Sequence, residues 1–186
     1  GACGHCASCH AIDVHAHADL CVLMPETEML ALGWPLSEKA QADIDDKKRK
    51  PSREIRIDAM RDAVEFAQRT AGQGQGKAVL VYPAEQMNHV TANALLKTLE
   101  EPPEYLKFVL ATTDPQKVPV TVLSRCLQFN LRPMAPETIR EHLARVLEVE
   151  QVSSEVQALR LLARAARGSM RDALSLTDQA IAFGSG

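Results

Sequence analysis

Two short apolar runs on either side of a helical segment constrain the fold of this chain most strongly. The runs KAVLVY (77–82) and KFVLATT (107–113) are rich in β-branched residues, which is typical of buried strands. Between them, TANALLKTLEE (91–101) places its leucines on one helical face and is stopped by Pro102-Pro103. Strands that alternate with helices predict a parallel sheet with helices on its faces, an α/β fold.

The segments before this unit extend the pattern. DLCVLMPE (19–26) is a short apolar run stopped by proline, and we predict a strand there. IRIDAMRDAVEFAQR (55–69) is predicted as a helix. Its apolar stripe consists of Ile57, Met60, Val64 and Ala67. Residues 33–54 carry many charges and two prolines, and we expect an exposed loop. The basic run Lys47 to Lys50 within it is either solvated or a DNA-contacting patch.

From Pro133 onward the pattern changes to helices alone. Pro136 suits the first position of a helix. The apolar stripe of this helix is Ile139, Leu143, Val146 and Leu147. Ser154 and Gln157 predict a capping box at the start of a second helix that ends at Gly168, and Ser169 caps a third. We therefore predict an α/β domain over residues 1–132 and a three-helix domain over residues 133–186.

Composition excludes some classes of function. The chain has 186 residues with 46% hydrophobic content, enough for one core or a core with a small satellite domain. Its net charge of −3 argues against a free-standing basic nucleic-acid binder, and 4% aromatic content argues against a base-stacking surface. No apolar run approaches the roughly 20 residues that span a bilayer, and the start has no signal-peptide layout. The cytoplasm is the expected location.

The sequence lacks the parts of a nucleotide-hydrolysing site. The one phosphate-loop candidate, GQGQGKA (72–78), has three residues between Gly72 and Gly76 instead of four. Ala78 stands where a magnesium-binding Ser or Thr is needed, and a strand follows instead of a helix. The tip of the second strand reads Tyr82-Pro83 and supplies no carboxylate, while Glu85 falls in the loop beyond it. We therefore expect no intrinsic ATPase activity.

Cys3, Cys6 and Cys9 have the adjacent Cys-x-x-Cys spacings that favour a metal or redox role over a secreted disulfide framework. Three thiolates at this spacing can surround one tetrahedral zinc ion, and a structural zinc site needs four ligands. The alternative is a set of free thiols on a disordered end. The candidates for the fourth ligand are His5, His10, His15, His17 and Cys21, although Cys21 is better placed as a small core residue of a strand.

Three long motifs resemble one known family: NALLKTLEEPP (93–103), ATTDPQKVPVTVLSRCLQFNL (111–131) and GSMRDALSLTDQAI (168–181). They are similar to the AAA+ clamp-loader subunits of bacterial DNA polymerase III, which open the ring-shaped sliding clamp and close it around primed DNA. The N-terminal half, with CGHCASC and a strand tip without acids, resembles the non-hydrolysing delta-prime subunit. From about Tyr105 the chain resembles the gamma/tau motor subunit. The resemblance implies an AAA+ α/β domain followed by a lid domain.

The resemblance also implies roles for single residues. Ser124-Arg125 matches the motif whose arginine reaches the ATP site of a neighbouring subunit, so Arg125 is the predicted trans-acting finger. Thr113 and Arg171 match nucleotide-sensing positions, for which we expect a structural role where no phosphate loop accompanies them. The three cysteines (within a module of about residues 1–18) match the family's zinc module, whose fourth cysteine stands upstream. The family's phosphate loop and central strand would also lie before Gly1.

The implied function is that of a non-motor subunit within the DNA polymerase III holoenzyme. Its partners would be the gamma/tau and delta subunits, with the sliding clamp and primed DNA reached through the assembly and no membrane involved. ATP would be bound only at a neighbouring subunit's site. Two alternatives remain: a truncated gamma/tau-type motor, and a zinc-dependent DNA-binding domain.

Overall fold

A computed structural model describes residues 3–69 and 76–184. The chain divides into two units, residues 1–128 and 129–186, so the division falls slightly before the predicted boundary at residue 132. The helices of the first unit are α1 (Ala7–Asp13), α2 (Glu26–Ala31), α3 (Glu38–Asp45), α4 (Ile57–Gln68), α5 (His89–Glu100) and α6 (Val120–Leu123). Its strands are β1 (Leu20–Leu23), β2 (Lys77–Val81) and β3 (Leu106–Leu110). No helix in the described residues is long and apolar enough to cross a membrane.

The three strands form one parallel sheet in the order β1-β2-β3, which confirms the predicted α/β fold. Leu20 of β1 pairs with Ala78 of β2, and Lys77 of β2 pairs with Leu106 of β3. The central strand β2 is the most deeply buried, with Val79 and Val81 fully inaccessible to solvent. Burial on this scale is expected for a parallel strand whose faces are covered by helices.

Helices α4 and α5 supply much of the core that covers the sheet. Met60 and Ala67 of the predicted α4 stripe are fully buried, and Ala63 joins them. In α5 only Leu95 of the predicted leucine face is fully buried, because the helix also turns Thr91 inward. The Thr91 hydroxyl donates a 3.0 Å hydrogen bond to the carbonyl of Ile55, which satisfies its buried polar atom.

The prediction of an exposed loop over residues 33–54 is wrong for the middle of the segment, residues 38–45. The segment contains helix α3, whose N-cap Ser37 accepts a 3.3 Å hydrogen bond from the Ala40 amide. Irregular structure is limited to residues 33–37 before this helix and residues 46–54 after it. Lys47, Lys48 and Lys50 are exposed, which agrees with a solvated run and with a DNA-contacting patch alike.

Arg49 is the exception in this basic run, because its guanidinium forms a fork with the carboxylate of Glu26. Arg49 Nη1 and Nη2 donate to the two Glu26 oxygens at 2.5 and 2.8 Å, and the Ser52 amide donates to Glu26 at 2.8 Å. Glu26 is only 7% exposed. Burial opposes its ionisation, but the hydrogen bonds from Arg49 and Ser52 outweigh burial and lower the pKa of Glu26. The pair fastens residues 49–52 to the start of α2.

The second unit is built from α7 (Pro136–Val149), α8 (Val156–Ala165) and α9 (Met170–Gly184). Pro136 occupies the first turn of α7, and the Ser169 hydroxyl caps α9 by accepting a hydrogen bond from the Asp172 amide at 3.2 Å, as predicted. The core of this unit consists of Ile139, Leu143, Leu147, Leu159, Ala163, Ala166 and Ala173. Gly168 has φ +88°, and a Cβ there would lie 2.4 Å from the Pro133 side chain, so glycine is required.

The predicted capping box at the start of α8 is wrong. The N-cap of this helix is Glu155, with no side-chain capping bond, so Gln157 falls one position too early in the first turn to reach back. Between the last helix of the first unit and α7, residues 127–131 lie outside any helix or strand. Leu127, Phe129 and Leu131 are 80–93% exposed there.

Replacing Glu26 with glutamine should destabilise the first unit by about 2–3 kcal/mol, because Arg49 would keep its charge at a half-buried site without a carboxylate. Urea unfolding at pH 7 measures this loss. Since the folded pKa of Glu26 lies below its ordinary value, the stabilisation is present above the unfolded pKa and is lost as pH falls through the folded pKa. Glu28→Gln, on the exposed side of α2, is the matched control. Equal unfolding free energies for the two variants would contradict the proposed anchor.

Candidate functional site

The ends of β2 and β3 lie together at the carboxyl edge of the sheet, where ligands of parallel sheets bind. After β2 the chain passes through a cis Tyr82-Pro83 bond into a 3₁₀ turn, Ala84–Gln86. The Ala84 amide donates a 2.8 Å hydrogen bond to the carbonyl of Ala111, just beyond β3. This bond holds the two strand ends side by side and brings Glu85 next to the residues that follow β3.

Glu85 forms a cluster with two threonines. The Thr112 hydroxyl donates a short hydrogen bond to Glu85, and the Thr113 hydroxyl donates to Glu85 Oε1 at 3.2 Å. Burial opposes ionisation of this carboxyl, but the bonds from Thr112, its own backbone and Thr113 lower the pKa of Glu85 overall. Thr113 was the predicted nucleotide-sensing position, whereas Glu85 had been assigned only to a loop.

The arrangement has a chemical consequence for Thr113. In the predicted nucleotide-sensing role the Thr113 hydroxyl would donate to a phosphate oxygen, whereas in the structure it donates to a carboxylate of the same chain. Glu85 therefore fills the position of an anion at this strand tip. Proximity in sequence could not reveal this contact, because 28 residues separate Glu85 from Thr113.

The predicted finger, Arg125, lies directly after α6 and is held by a carboxylate. Arg125 Nη2 and Nε donate to Glu100 Oε1 at 2.5 and 3.0 Å, and Nη1 donates to the Thr121 carbonyl at 2.7 Å. Arg125 Nη1 also lies 3.4 Å from the Ser124 hydroxyl. The side chains of Arg125 and Glu100 are 33% and 50% exposed. A pair exposed to this extent contributes little net stability, so an external anion can replace Glu100 at small cost.

Glu100 is a residue that the sequence analysis missed. It ends α5, and its partner lies 25 residues further along the chain. Arg171, the other predicted nucleotide-sensing residue, is an exposed residue in the first turn of α9 in the second unit. Most of the rejected phosphate-loop candidate, residues 72–78, lies outside the described residues.

The three N-terminal cysteines converge on one point. Cys6 Sγ lies 3.5 Å from Cys9 Sγ, and Cys3 Sγ lies 3.9 Å from Cys9 Sγ. Tetrahedral Zn–S bonds of about 2.3 Å require sulfur atoms about 3.8 Å apart, so the spacing fits one zinc ion. Hydrogen bonds from the His5 backbone and from Cys6 lower the pKa of Cys3 to about 7, which favours the thiolate that binds metal. Helix α1 begins within this cluster and fixes the Cys6–Cys9 separation.

Within the described residues, no further Cys, His, Asp or Glu joins this cluster. Two of the candidate histidines are engaged elsewhere. His15 stacks on Trp34 at 4.0 Å between ring centroids, and His17 Nδ1 accepts a hydrogen bond from the Asp19 amide at 3.1 Å. Cys21 packs against the core, where burial raises its pKa to about 11, as expected of a small core residue. The described residues therefore offer three thiolate ligands at this site and no fourth ligand.

Comparison with known protein families gives two matches along the chain. Residues 1–135 match the family described as DNA polymerase III, delta subunit. Residues 138–186 match the family described as DNA polymerase III clamp loader subunit, ATPase lid domain. Together the two matches divide the chain close to the boundary between its two structural units.

Individual relatives are tau and gamma subunits of DNA polymerase III. The chain is 53% identical over 131 residues to the tau subunit of Escherichia coli, covering 70% of this chain and 20% of that protein. It is 42% identical over 124 residues to the tau subunit of Bacillus subtilis, covering 67% of this chain and 22% of that protein. The chain thus spans about a fifth of the length of these relatives. A gamma subunit-related protein of Thermotoga maritima matches with TM-score 0.49 and 24% identity, over 78% of this chain and 43% of that structure.

Replacing Glu85 with glutamine should lower the free energy of unfolding by about 1 kcal/mol at pH 7, because a neutral amide accepts weaker hydrogen bonds from the two threonines. The lowered folded pKa means that this contribution exists above the unfolded pKa and disappears as pH falls through the folded pKa. Wild type and variant should therefore converge in acid when unfolding is followed by circular dichroism. The exposed Glu104→Gln serves as control. A pH-independent difference for Glu85→Gln would show that its charge is not the cause.

Proposed function

Since the chain belongs to the DNA polymerase III clamp-loader subunits, we propose that it acts as a non-hydrolysing, delta-prime-like subunit of the loader. In this role it supports ATP-driven loading of the sliding clamp onto primed DNA in the cytoplasm. It assembles with gamma/tau and delta subunits, and its Arg125 acts at the ATP site of a neighbour. The observation that carries the proposal is the partly exposed Arg125 guanidinium after α6, held by a carboxylate that an anion can replace.

Arg125 would place its positive charge at the γ-phosphate, where phosphoryl transfer builds up negative charge. The γ-phosphate accumulates negative charge on its equatorial oxygens, and a planar guanidinium donates to two of them at once. In the isolated chain the same nitrogens of Arg125 bind Glu100. A phosphate group offers a higher negative charge than a carboxylate, so docking against a nucleotide-bearing neighbour would draw Arg125 away from Glu100. Ser124 is the C-cap of α6, and its hydroxyl lies 3.4 Å from Arg125 Nη1.

The non-hydrolysing character is supported by the end of β2. Magnesium in nucleotide-hydrolysing sites is held by a carboxylate at a strand tip, and here the tip is occupied by Tyr82 and Pro83. The nearby Glu85 carboxylate is already bonded to Thr112 and Thr113. Both threonines therefore have a structural role in joining two strand ends. ATP is bound only at a neighbour's site.

A second candidate is a gamma/tau-type motor subunit, which the identity to tau subunits favours. The distinguishing measurement is ATP turnover by a chain extended at its N-terminus with the corresponding segment of a motor subunit. Turnover well above background would support the motor, since Tyr82-Pro83 would then be compatible with magnesium. Background turnover supports the non-hydrolysing subunit. A free-standing zinc-dependent DNA-binding domain is disfavoured by the net charge of −3.

The proposal includes a structural zinc ion on Cys3, Cys6 and Cys9. An ion with three thiolates and one further ligand would cross-link the start of the chain to the first turn of α1. Zinc bound there would stabilise the folded module and would take no part in catalysis. The ion would hold this module in place as part of the subunit surface.

Mixing the chain with a purified gamma/tau motor subunit tests the finger. Wild type should co-elute with the motor and raise its ATP turnover, whereas Arg125→Ala should co-elute without raising turnover. Fingers supplied in trans contribute about 10³- to 10⁵-fold at a fully dependent site, so loss of nearly all the stimulation is expected. Glu100→Gln retains the arginine but removes its competing anion, and should stimulate at least as strongly as wild type.

The control for this experiment is Arg132→Ala, which removes another exposed arginine and should behave as wild type. Stimulation by Arg125→Ala equal to wild type would contradict the finger. If none of the chains associates with the motor, the sequence similarity reflects ancestry and the chain is not a working subunit.

For zinc, the purified chain should bind one equivalent of Co²⁺, with the thiolate charge-transfer absorption of a tetrahedral sulfur site, and Zn²⁺ should displace it. Cys6→Ser should remove this absorption. Cys126→Ser retains the three clustered thiols and should bind normally. Equal absorption in the two variants, or none in wild type, would refute the zinc site.

A further inference from the structure

A small groove between α7 and α8 is lined by three arginines and one acidic residue. Its volume is about 150 Å³. The groove is lined by Pro136, Glu137, Arg140, Arg160, Ala163 and Arg164. We propose that this groove binds a phosphate group, independently of the role of Arg125 in ATP hydrolysis.

The arginines of the groove are poorly neutralised. The side chains of Arg160 and Arg164 make no hydrogen bond or ion pair within the described residues. They lie at i and i+4 on α8, where like charges weaken a helix. Arg140 Nε is buried and makes no hydrogen bond there either. The Glu137 carboxylate lies 2.9 Å from Arg140 Nε, so the two form an ion pair without an aligned N–H···O bond. The lining of the groove thus contains one carboxylate for three arginines.

Helix α7 adds to the positive potential. Pro136 and Glu137 are its first residues, and its N-cap Ala135 has no side chain that can cap the free amides. Unsatisfied amides and the helix dipole both favour an anion at this end. This feature is independent of the arginines, since it arises from the backbone.

Size and geometry identify the ligand class. A volume of about 150 Å³ is well below the 300–1,000 Å³ of a small-molecule pocket. The groove therefore has room for one tetrahedral group but cannot enclose a whole nucleotide. A phosphate offers three or four acceptor oxygens to guanidinium groups that approach from two helices, whereas a carboxylate offers two. The phosphate comes either from solution or from a nucleic-acid backbone.

The test uses the full chain labelled with ¹⁵N, titrated in separate arms with inorganic phosphate and with a duplex DNA oligonucleotide at low salt. We expect saturable shifts of the amides at the start of α7. Arg160→Gln/Arg164→Gln should weaken binding at least about tenfold, the loss of one charge-assisted hydrogen bond or more. The matched control, Arg132→Gln/Arg145→Gln, removes the same charge outside the groove and should bind within about twofold of wild type.

The two arms distinguish the sources. If inorganic phosphate binds and the DNA does not, the ligand is a free phosphate. If DNA binds, and only the groove variant weakens this binding and lowers its salt dependence, the ligand is a backbone phosphate. Equal losses in the groove variant and the control would overturn the proposal, because net charge would then explain the binding. Saturation by an acidic peptide but by neither phosphate source would also overturn it. Glutamine keeps the helix propensity of arginine, so both double variants are expected to fold.

Discussion

The hydrogen-bonding requirement of the central strand β2 governs the structure of the first unit. A buried strand must pair its amides and carbonyls on both sides, and β2 does so with β1 and β3. Lys77 begins the strand at 5% exposure, and its ammonium group donates to the Phe66 carbonyl at 2.8 Å. The strand thereby fixes α4 at one end and the Glu85 turn at the other.

Three carboxylates link further parts of the first unit through hydrogen bonds and ion pairs. Glu26 binds Arg49, Glu85 binds two hydroxyl groups, and Glu100 binds Arg125. The three carboxylates differ in burial, and this difference separates their roles. The Glu26 pair is enclosed and anchors the chain, whereas the Glu100 pair faces solvent and can exchange partners. A buried pair is expensive to break, while an exposed pair is suited to a reversible contact.

Local patterns predicted local structure well. Met60 and Ala67 followed from helical periodicity, and Pro136 and Ser169 followed from the preferences of helix starts. The two wrong predictions concern where helices form and where they begin. Helix α3 formed where charge density had indicated a loop, and α8 began one residue later than its capping box required.

The candidate site could be predicted only in part, because several of its contacts join residues that are far apart in the sequence. The spacing of Cys3, Cys6 and Cys9 within one short segment was sufficient to predict that their sulfur atoms meet. The partners of Arg125 and Thr113 lie 25 and 28 residues away, on other elements, and no periodicity encodes such distances. The groove arginines were not singled out because α7 and α8 each look like an ordinary charged helix on their own.

The exposed residues Leu127, Phe129 and Leu131 have a consequence for how the chain behaves at high concentration. Alternate apolar side chains on an uncharged segment outside helices and strands are a pattern from which intermolecular β-sheets assemble. The segment is followed at once by Arg132 and Pro133, a charge and a residue without an amide donor. Such gatekeepers stop strand pairing from extending along a chain. Aggregation of the isolated chain should therefore start at this joint and remain confined to it.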